Sequence, residues 1–346
     1  MAGIEFRQVT KRYGGSGSPL VVQGIDFVVP RGTLTTILGP SGCGKTTTLR
    51  MIAGLEVPSG GQILIDGQDV THLGPAERNV SMVFQSYALF PHMNVIDNVR
   101  YGLDVSGVKR DEAQSRAMQA LASVGLGGYE TRLPSELSGG QQQRVAVARA
   151  LVLKPSVLLF DEPLSNLDAR LRRSMRDEIR HLQQSLGLTV AYVTHDQSEA
   201  LAVSDQIIVM ESGRIAQSGS PQDLYERPAT PFVAGFMGEA MLLEGQALGD
   251  GSVQIGPLNF RPRHAVPAGA VRAAVRPEAW TVGASLPDAL QGTLVQAAYL
   301  GSLLELTVNT PLGVVLVVTP EVAGDWPIGQ QLGLKLSGQG VSVMAV

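Results

Sequence analysis

Residues 39–46 read Gly39-Pro40-Ser41-Gly42-Cys43-Gly44-Lys45-Thr46 and fit the pattern G-x-x-x-x-G-K-[ST] without a mismatch. The β-branched and apolar run at 33–38 reads as a buried strand and 46–53 as a helix, which is the strand, loop and helix order the pattern needs. Glycines at 39, 42 and 44 open backbone conformations closed to residues with a Cβ, so successive N–H groups can turn toward phosphate oxygens. The helix N-terminus adds partial positive charge. Lys45 is then expected to reach the terminal phosphates of a nucleotide, and the Thr46 hydroxyl to ligate the accompanying Mg2+. Taken alone, the string is also a glycine-rich turn, and the rest of the chain has to decide.

Two further strings bear on that choice. Val157-Leu158-Leu159-Phe160-Asp161-Glu162 is an apolar strand ending in two carboxylates. Beside a phosphate loop, Asp161 is the candidate to help hold Mg2+, and Glu162 to orient or deprotonate a water attacking a γ-phosphate. By themselves, acidic residues often end buried strands. Leu137-Ser138-Gly139-Gly140-Gln141 precedes a second helix and forms another potential anion cradle, or an ordinary Ser N-cap with a flexible approach. Two cradles either address one nucleotide within the chain or pair across two copies of it.

At 346 residues the chain exceeds one ordinary core, so two domains are expected. Strands are read at 4–9, within 20–29, at 62–65 as a hairpin edge closed by Asp66-Gly67, and at 80–84. Residues from 86 to about 155 turn helical, with Ala113, Ala117, Leu121 and Val124 on one face of a helix over 109–124. Leu171, Met175, Ile179, Leu182 and Leu186 mark an amphipathic helix over 170–186, and strands at 189–194 and 206–210 complete an alternating α/β pattern. Past residues 235–241 only short β-branched or alternating runs follow, such as 294–297, 304–308 and 314–318, which suggests a small all-β barrel or sandwich.

Composition removes several classes. A formal charge of −4 without a Lys/Arg run argues against a general nucleic-acid binder. From Glu239 onward there are 5 Lys/Arg against 8 Asp/Glu, so a C-terminal barrel is poorly suited to oligonucleotides. Cys43 is the only cysteine, which rules out an intramolecular disulfide and a Cys-based zinc site and suits a reducing compartment. The first 15 residues carry Glu5 and Arg7 and no signal-peptide core, and no stretch approaches the roughly 18 apolar residues of a span. Work at a membrane would require docking onto something that spans it.

Taken together, residues 39–46, Gln85, 137–141, 157–162, Ser165-Asn166-Leu167-Asp168 and His195 resemble, in order, the Walker A, Q-loop, signature, Walker B, D-loop and switch motifs of ABC transporter ATPases. The resemblance covers 1–238, with a helical subdomain at about 86–155, and leaves 239–346 as a C-terminal β-domain similar to the TOBE domain. It implies an α/β P-loop NTPase followed by a small all-β, barrel-like (TOBE/OB-like) domain. It also implies ATP and Mg2+, held by Gly39, Pro40, Ser41, Gly42, Cys43, Gly44, Lys45, Thr46 and Thr47, with Tyr13 stacking on adenine. Two copies are expected to sandwich ATP head to tail, Ser138, Gly139, Gly140 and Gln141 of one closing the site of the other and Asp168 communicating between them. Catalysis is assigned to Glu162, His195, Gln85 and Lys45, and the metal to Thr46, Gln85 and Asp161. As isolated residues, Tyr13 could be packing, His195 a strand-end hydrogen-bonding group, and Asp168 the cap of the helix at 170.

The string Phe84-Gln85-Ser86-Tyr87-Ala88-Leu89-Phe90-Pro91-His92 resembles importers that depend on a solute-binding protein. The expected partners are two permease subunits at the cytoplasmic face of a bacterial inner membrane and, indirectly, a periplasmic or lipoprotein solute-binding protein. Tyr87 and Phe90 either face the permease or belong to the core. Resemblance leans toward ferric iron, polyamine or phosphonate-like solutes. The alternatives are sugar or sulfate import, or a non-transport ABC ATPase acting on nucleic acid or the ribosome. Finally, a helix N-terminus and Lys45 beside Cys43 lead to the expectation of a reactive thiolate whose alkylation blocks hydrolysis.

Overall fold

The computed structural model describes residues 2–15, 17–283, 286 and 289–346. It divides into two compact units, the first ending at Pro221 and the second beginning at Gln222.

In the first unit, β1 (Ala2–Arg12), β2 (Leu20–Pro30), β3 (Leu34–Leu38) and α1 (Lys45–Ala53) lead to β4 (Gly60–Ile65), β5 (Gln68–Asp69) and β6 (Val80–Val83). Three helices follow, α2 (Val95–Val105), α3 (Arg110–Ser123) and α4 (Gly139–Leu151). The unit ends with β7 (Val157–Asp161), α5 (Ala169–Leu186), β8 (Thr189–Thr194), α6 (Gln197–Val203), β9 (Gln206–Glu211) and β10 (Arg214–Gly219). One sheet has the order β10-β9-β3-β8-β7-β6, parallel apart from β10. Every residue of β3, β7 and β8 is buried, as the apolar runs demand of strands covered on both faces. The other sheet, β2-β1-β4-β5, is antiparallel. The expected hairpin at 62–65 therefore exists, but β4 pairs on both sides and the two-residue β5 is the edge.

Two cores flank the parallel sheet. Phe6, Val22, Ile52, Leu159 and Val193 join the antiparallel sheet and α1 to one face. Phe160, Val190 and Tyr192 meet Val99, Leu121, Val145 and Ile179 of the helices on the other. Tyr87 is buried in this second core, so its ring packs rather than facing a partner.

The second unit holds α7 (Pro221–Glu226, apart from its first residue), α8 (Pro231–Phe236), and β11 (Met241–Ala247), β12 (Val253–Ile255), β13 (Leu258–Phe260), β14 (Gly269–Val275) and β15 (Trp280–Gly283). It continues with β16 (Leu290–Tyr299), β17 (Leu304–Thr310), β18 (Gly313–Thr319), β19 (Gln331–Leu336) and β20 (Val341–Ala345). Two antiparallel sheets, β13-β12-β11-β14-β20 and β15-β19-β16-β17-β18, share one core that includes Val271, Val275, Trp280, Leu306, Val317 and Leu334. The division lies ahead of the boundary expected at 238. Its cause is Arg276, buried behind β14, whose guanidinium stacks 3.6 Å from the Tyr225 ring centroid and donates to the carbonyls of Tyr225 (2.7 Å) and Gly238 (3.0 Å). Ser342 adds a hydrogen bond to the Glu226 carbonyl, so residues 225–238 are held by the β-unit.

Candidate nucleotide-binding site

The strand order sets adjacent carboxyl ends side by side: β3 with the loop 39–44, β8 with His195, β7 with Asp161 and Glu162, and β6 with Gln85. In open α/β sheets the crevice beyond those ends is where ligands bind.

The loop is shaped by its glycines. Gly42 (φ 79°) and Gly44 (φ 104°) are left-handed, and at Gly39 a Cβ would run into the Met210 carbonyl and the Cys43 sulfur. Lys45 is only 6% exposed, and its Nζ donates to the carbonyls of Gly39 (2.7 Å) and Pro40 (2.9 Å). An ammonium has three protons, so one remains for a phosphate oxygen. Tyr13, 46% exposed, lies with its hydroxyl 3.4 Å from Thr47 Oγ1 and Lys11 Nζ 4.9 Å from its ring centroid, a half-open platform beside the first turn of α1.

Thr46 Oγ1 donates to Asp161 Oδ1 at 3.4 Å. Asp161 is buried, and that burial is the main reason its pKa lies above the ordinary carboxylate range, Arg50 opposing and Glu162 adding to the shift. A buried carboxylate with a hydroxyl beside it is an oxygen donor set suited to a hard cation that also takes phosphate oxygens. Glu162 adopts left-handed φ (45°), a conformation that costs about 1–2 kcal/mol in a residue with a Cβ. Its N–H donates to the Val193 carbonyl (2.9 Å), and its Oε2 accepts from His195 Nδ1 at 3.0 Å.

The sequence reading missed the supports of this row. Asn166 Nδ2 donates to the Gln85 carbonyl (3.0 Å), tying residues 165–168 to this exposed residue two positions past β6. Arg172 donates to the Leu167 carbonyl (3.1 Å) and to Asp196 (3.5 Å), joining the start of α5 to the turn after His195. Glu199 is buried and accepts from Thr194 (2.8 Å) and Tyr192 (3.1 Å), while Asp196 caps α6 by accepting from the Glu199 N–H. The spacing Asp196-x-x-Glu199 was the available signal, since an N-cap followed three residues later by Glu marks a helix start.

Ser138 and Gly139 are exposed, and Gly140 is buried against Leu171. Ser138 and Gln141 cap α4 reciprocally, Ser138 N–H donating to Gln141 Oε1 (2.9 Å) and Gln141 N–H to Ser138 Oγ (3.4 Å). Among the described residues, no hydrogen bond joins 138–141 to the loop at 39–47. Asp168 caps α5, accepting from the Leu171 N–H at 2.9 Å. The reactive Cys43 expected from the sequence is overturned: the thiol is buried, and burial raises its pKa more than Lys45 lowers it. Position in the loop brings the lysine close, but the same packing removes the water that a thiolate needs.

The fold and this row of strand-end groups define a P-loop ATPase, and the chain belongs to the ATP-binding family of ABC transporters. The family models "ABC transporter" and "TOBE domain" match residues 22–165 and 273–344. Ferric-iron import ATP-binding proteins FbpC are similar along nearly the whole chain. The one from Brucella abortus is 52% identical, covering 99% of this chain and 97% of its own, and the one from Escherichia coli is 51% identical with the same coverage. Among solved structures, the ATP-binding cassette MJ0796, a dimer in a post-hydrolysis state bound to ADP and Pi, has a TM-score of 0.57 and 30% identity, covering 63% of this chain and 98% of its own. CbiO1 of Clostridium perfringens, part of the transporter complex cbiONQ, has a TM-score of 0.60 and 30% identity, covering 65% and 90%. The chain is thus an ATPase of the kind that powers solute import, with a TOBE domain at its C-terminus.

Proposed function

We propose that this ATPase drives the import of ferric iron, and that it does so as a head-to-tail dimer bound to two permease subunits at the cytoplasmic face of the membrane. The observation that carries the solute is similarity above 50% to ferric-iron import proteins that extends through both units. Among the described residues no helix is long and apolar enough to cross a membrane, so attachment would go through the permease. A groove of about 440 Å³, lined by Phe84, Phe90, Tyr101, Arg149 and Leu153 beside the segment after Gln85, offers apolar and aromatic surface for it.

In the proposed cycle, Tyr13 stacks on adenine and the N–H groups of 39–47 with Lys45 hold the phosphates. Mg2+ would be held by Thr46 and Asp161 with Gln85 alongside, and it supplies charge neutralisation at the β- and γ-phosphate oxygens. Glu162 takes a proton from water as that water's oxygen bonds to the γ-phosphorus. The bond to the bridging oxygen breaks, its electron pair staying on ADP. His195, oriented by Glu162, faces the γ-phosphate, while Ser138–Gln141 and Asp168 of the second copy close the site.

The metal assignment predicts an opposition between stability and activity. Because burial raises the pKa of Asp161, its protonated form favours the folded chain; that contribution is full below the unfolded carboxylate pKa and is lost as pH rises through the raised value. Without Mg2+, Asp161→Asn is therefore expected to raise the melting temperature at pH 7.5 by about 2–4 °C, with the gain shrinking toward pH 4. Mg2+-dependent turnover should fall in the same variant. Thermal unfolding at the two pH values checks this, and a lowered midpoint at pH 7.5 would contradict the burial argument.

The function itself is tested by co-expressing the chain with its permease partners in proteoliposomes. ATP-dependent uptake of ferric iron, unmatched by polyamine, phosphonate, sugar or sulfate, is the expected result. Uptake of one of the others instead would overturn the solute assignment.

A further inference from the structure

Two consecutive residues just after Gln85, Tyr87 (φ 60°) and Ala88 (φ 48°), are left-handed although both carry a Cβ. Such a pair persists only where the surroundings hold it. The surroundings are specific. Arg149, in the last turn of α4, donates Nη2 to the Tyr87 carbonyl (2.8 Å) and Nη1 to the Ala88 carbonyl (2.7 Å), and its guanidinium lies 5.7 Å from the Phe90 ring centroid. Downstream, the fully buried Asn98 accepts from the Phe90 N–H (2.8 Å) and donates to the carbonyls of Phe90, Met93 and Asn94. Upstream, Asn166 holds the Gln85 carbonyl. The segment is thus pinned at both ends, and in its strained middle one planar fork holds both carbonyls, alongside the buried Tyr87 ring and the Tyr87 N–H bond to the Phe84 carbonyl (2.9 Å).

Arg149 also has a place in the wider geometry. It sits near one end of α4, and Ser138 caps the other, about 16 Å away along a straight helix. The same guanidinium lines the groove next to Phe90 and Tyr101. We propose that Arg149 is a positioning residue: a latch that holds the 87–88 turn left-handed, and thereby Gln85 at the strand-end row, from the far end of the helix that begins at Ser138. The inference rests on the ATPase reading and deepens it. A lysine can also reach two carbonyls, as Lys45 does at Gly39 and Pro40, but its ammonium lacks the planar pair of N–H groups and the flat face beside Phe90 that Arg149 presents.

The test is steady-state ATP hydrolysis by the full chain. Arg149→Met and Arg149→Lys are both expected to lower kcat about ten-fold or more with KM for ATP within about two-fold, because the groups that bind nucleotide are untouched. Amide exchange at 86–90 should accelerate while 39–47 stays protected. Adding Ala88→Gly, which removes the cost at one of the two left-handed residues, should recover at least a third of the lost log kcat in the Arg149→Met background. A latch role is overturned if Arg149→Lys keeps wild-type kcat, if KM rises in step with the fall in kcat, or if Ala88→Gly restores nothing. Failure of the wild-type chain to hydrolyse ATP would instead sink the ATPase reading, so the two failures are separable.

Discussion

Glu162→Gln is expected to leave ATP binding within about two-fold of wild type and to slow turnover by 10²- to 10⁴-fold, the usual worth of a positioned general base. That corresponds to about 3–5 kcal/mol of barrier. The substitution is close to isosteric. A carboxamide oxygen can still accept from His195 Nδ1, and the backbone bond from residue 162 to the Val193 carbonyl is unchanged, so the left-handed turn is kept. What is lost is the ability to take a proton from water. Fluorescent-nucleotide titration and phosphate release measure the two halves of the prediction. Normal steady-state turnover in this variant would refute the role of Glu162, and lost binding would show that it shapes the nucleotide pocket instead.

The parts of this molecule legible in its sequence are those that a local pattern encodes. Leu34–Leu38 and Val157–Asp161 announce themselves as central strands because parallel strands are covered on both faces and so lose the alternation of a half-exposed sheet. The step pattern of α5 and the phosphate loop are likewise local. Strand order is not: nothing in the chain says that β8 lies between β3 and β7, and it is this order that brings His195 within 3.0 Å of Glu162, 33 positions earlier. Supports such as Arg149 and Arg172 were invisible for the same reason, since each is an ordinary surface-type residue whose partners come from another element. Cys43 shows the opposite failure. Its chemical neighbours could be read, but its burial depends on the β9 segment around Met210, far away in sequence. The expected boundary at 238 follows a change of pattern that marks where helices stop, whereas the compact units divide at Pro221 because Arg276 holds residues 225–238 to the β-unit.

The reading of Ser138–Gln141 as half of a partner's site gives a result that a single-chain site cannot. Lys45→Ala removes the donor to the phosphates and to the Gly39 and Pro40 carbonyls, and Ser138→Arg places a bulky cation at an exposed helix start, so each variant alone should hydrolyse ATP at under about 1% of the wild-type rate. In a head-to-tail dimer of one variant with the other, both lesions fall in the same composite site. The second site then combines an intact Lys45 with an intact Ser138. An equimolar mixture, with half of its dimers mixed and one good site in each, should reach up to about a quarter of wild-type activity if the sites act independently. Tandem fusion of the two variants enforces the mixed pairing and should double that figure. If both cradles instead served one nucleotide within a chain, neither mixture nor fusion would recover anything, because every chain carries a lesion. The fusion of two Lys45→Ala copies is the control that must stay inactive under both arrangements. Rescue in the mixed fusion alone would therefore place Ser138 across the interface from Lys45, and nucleotide occupancy would then control whether two copies close.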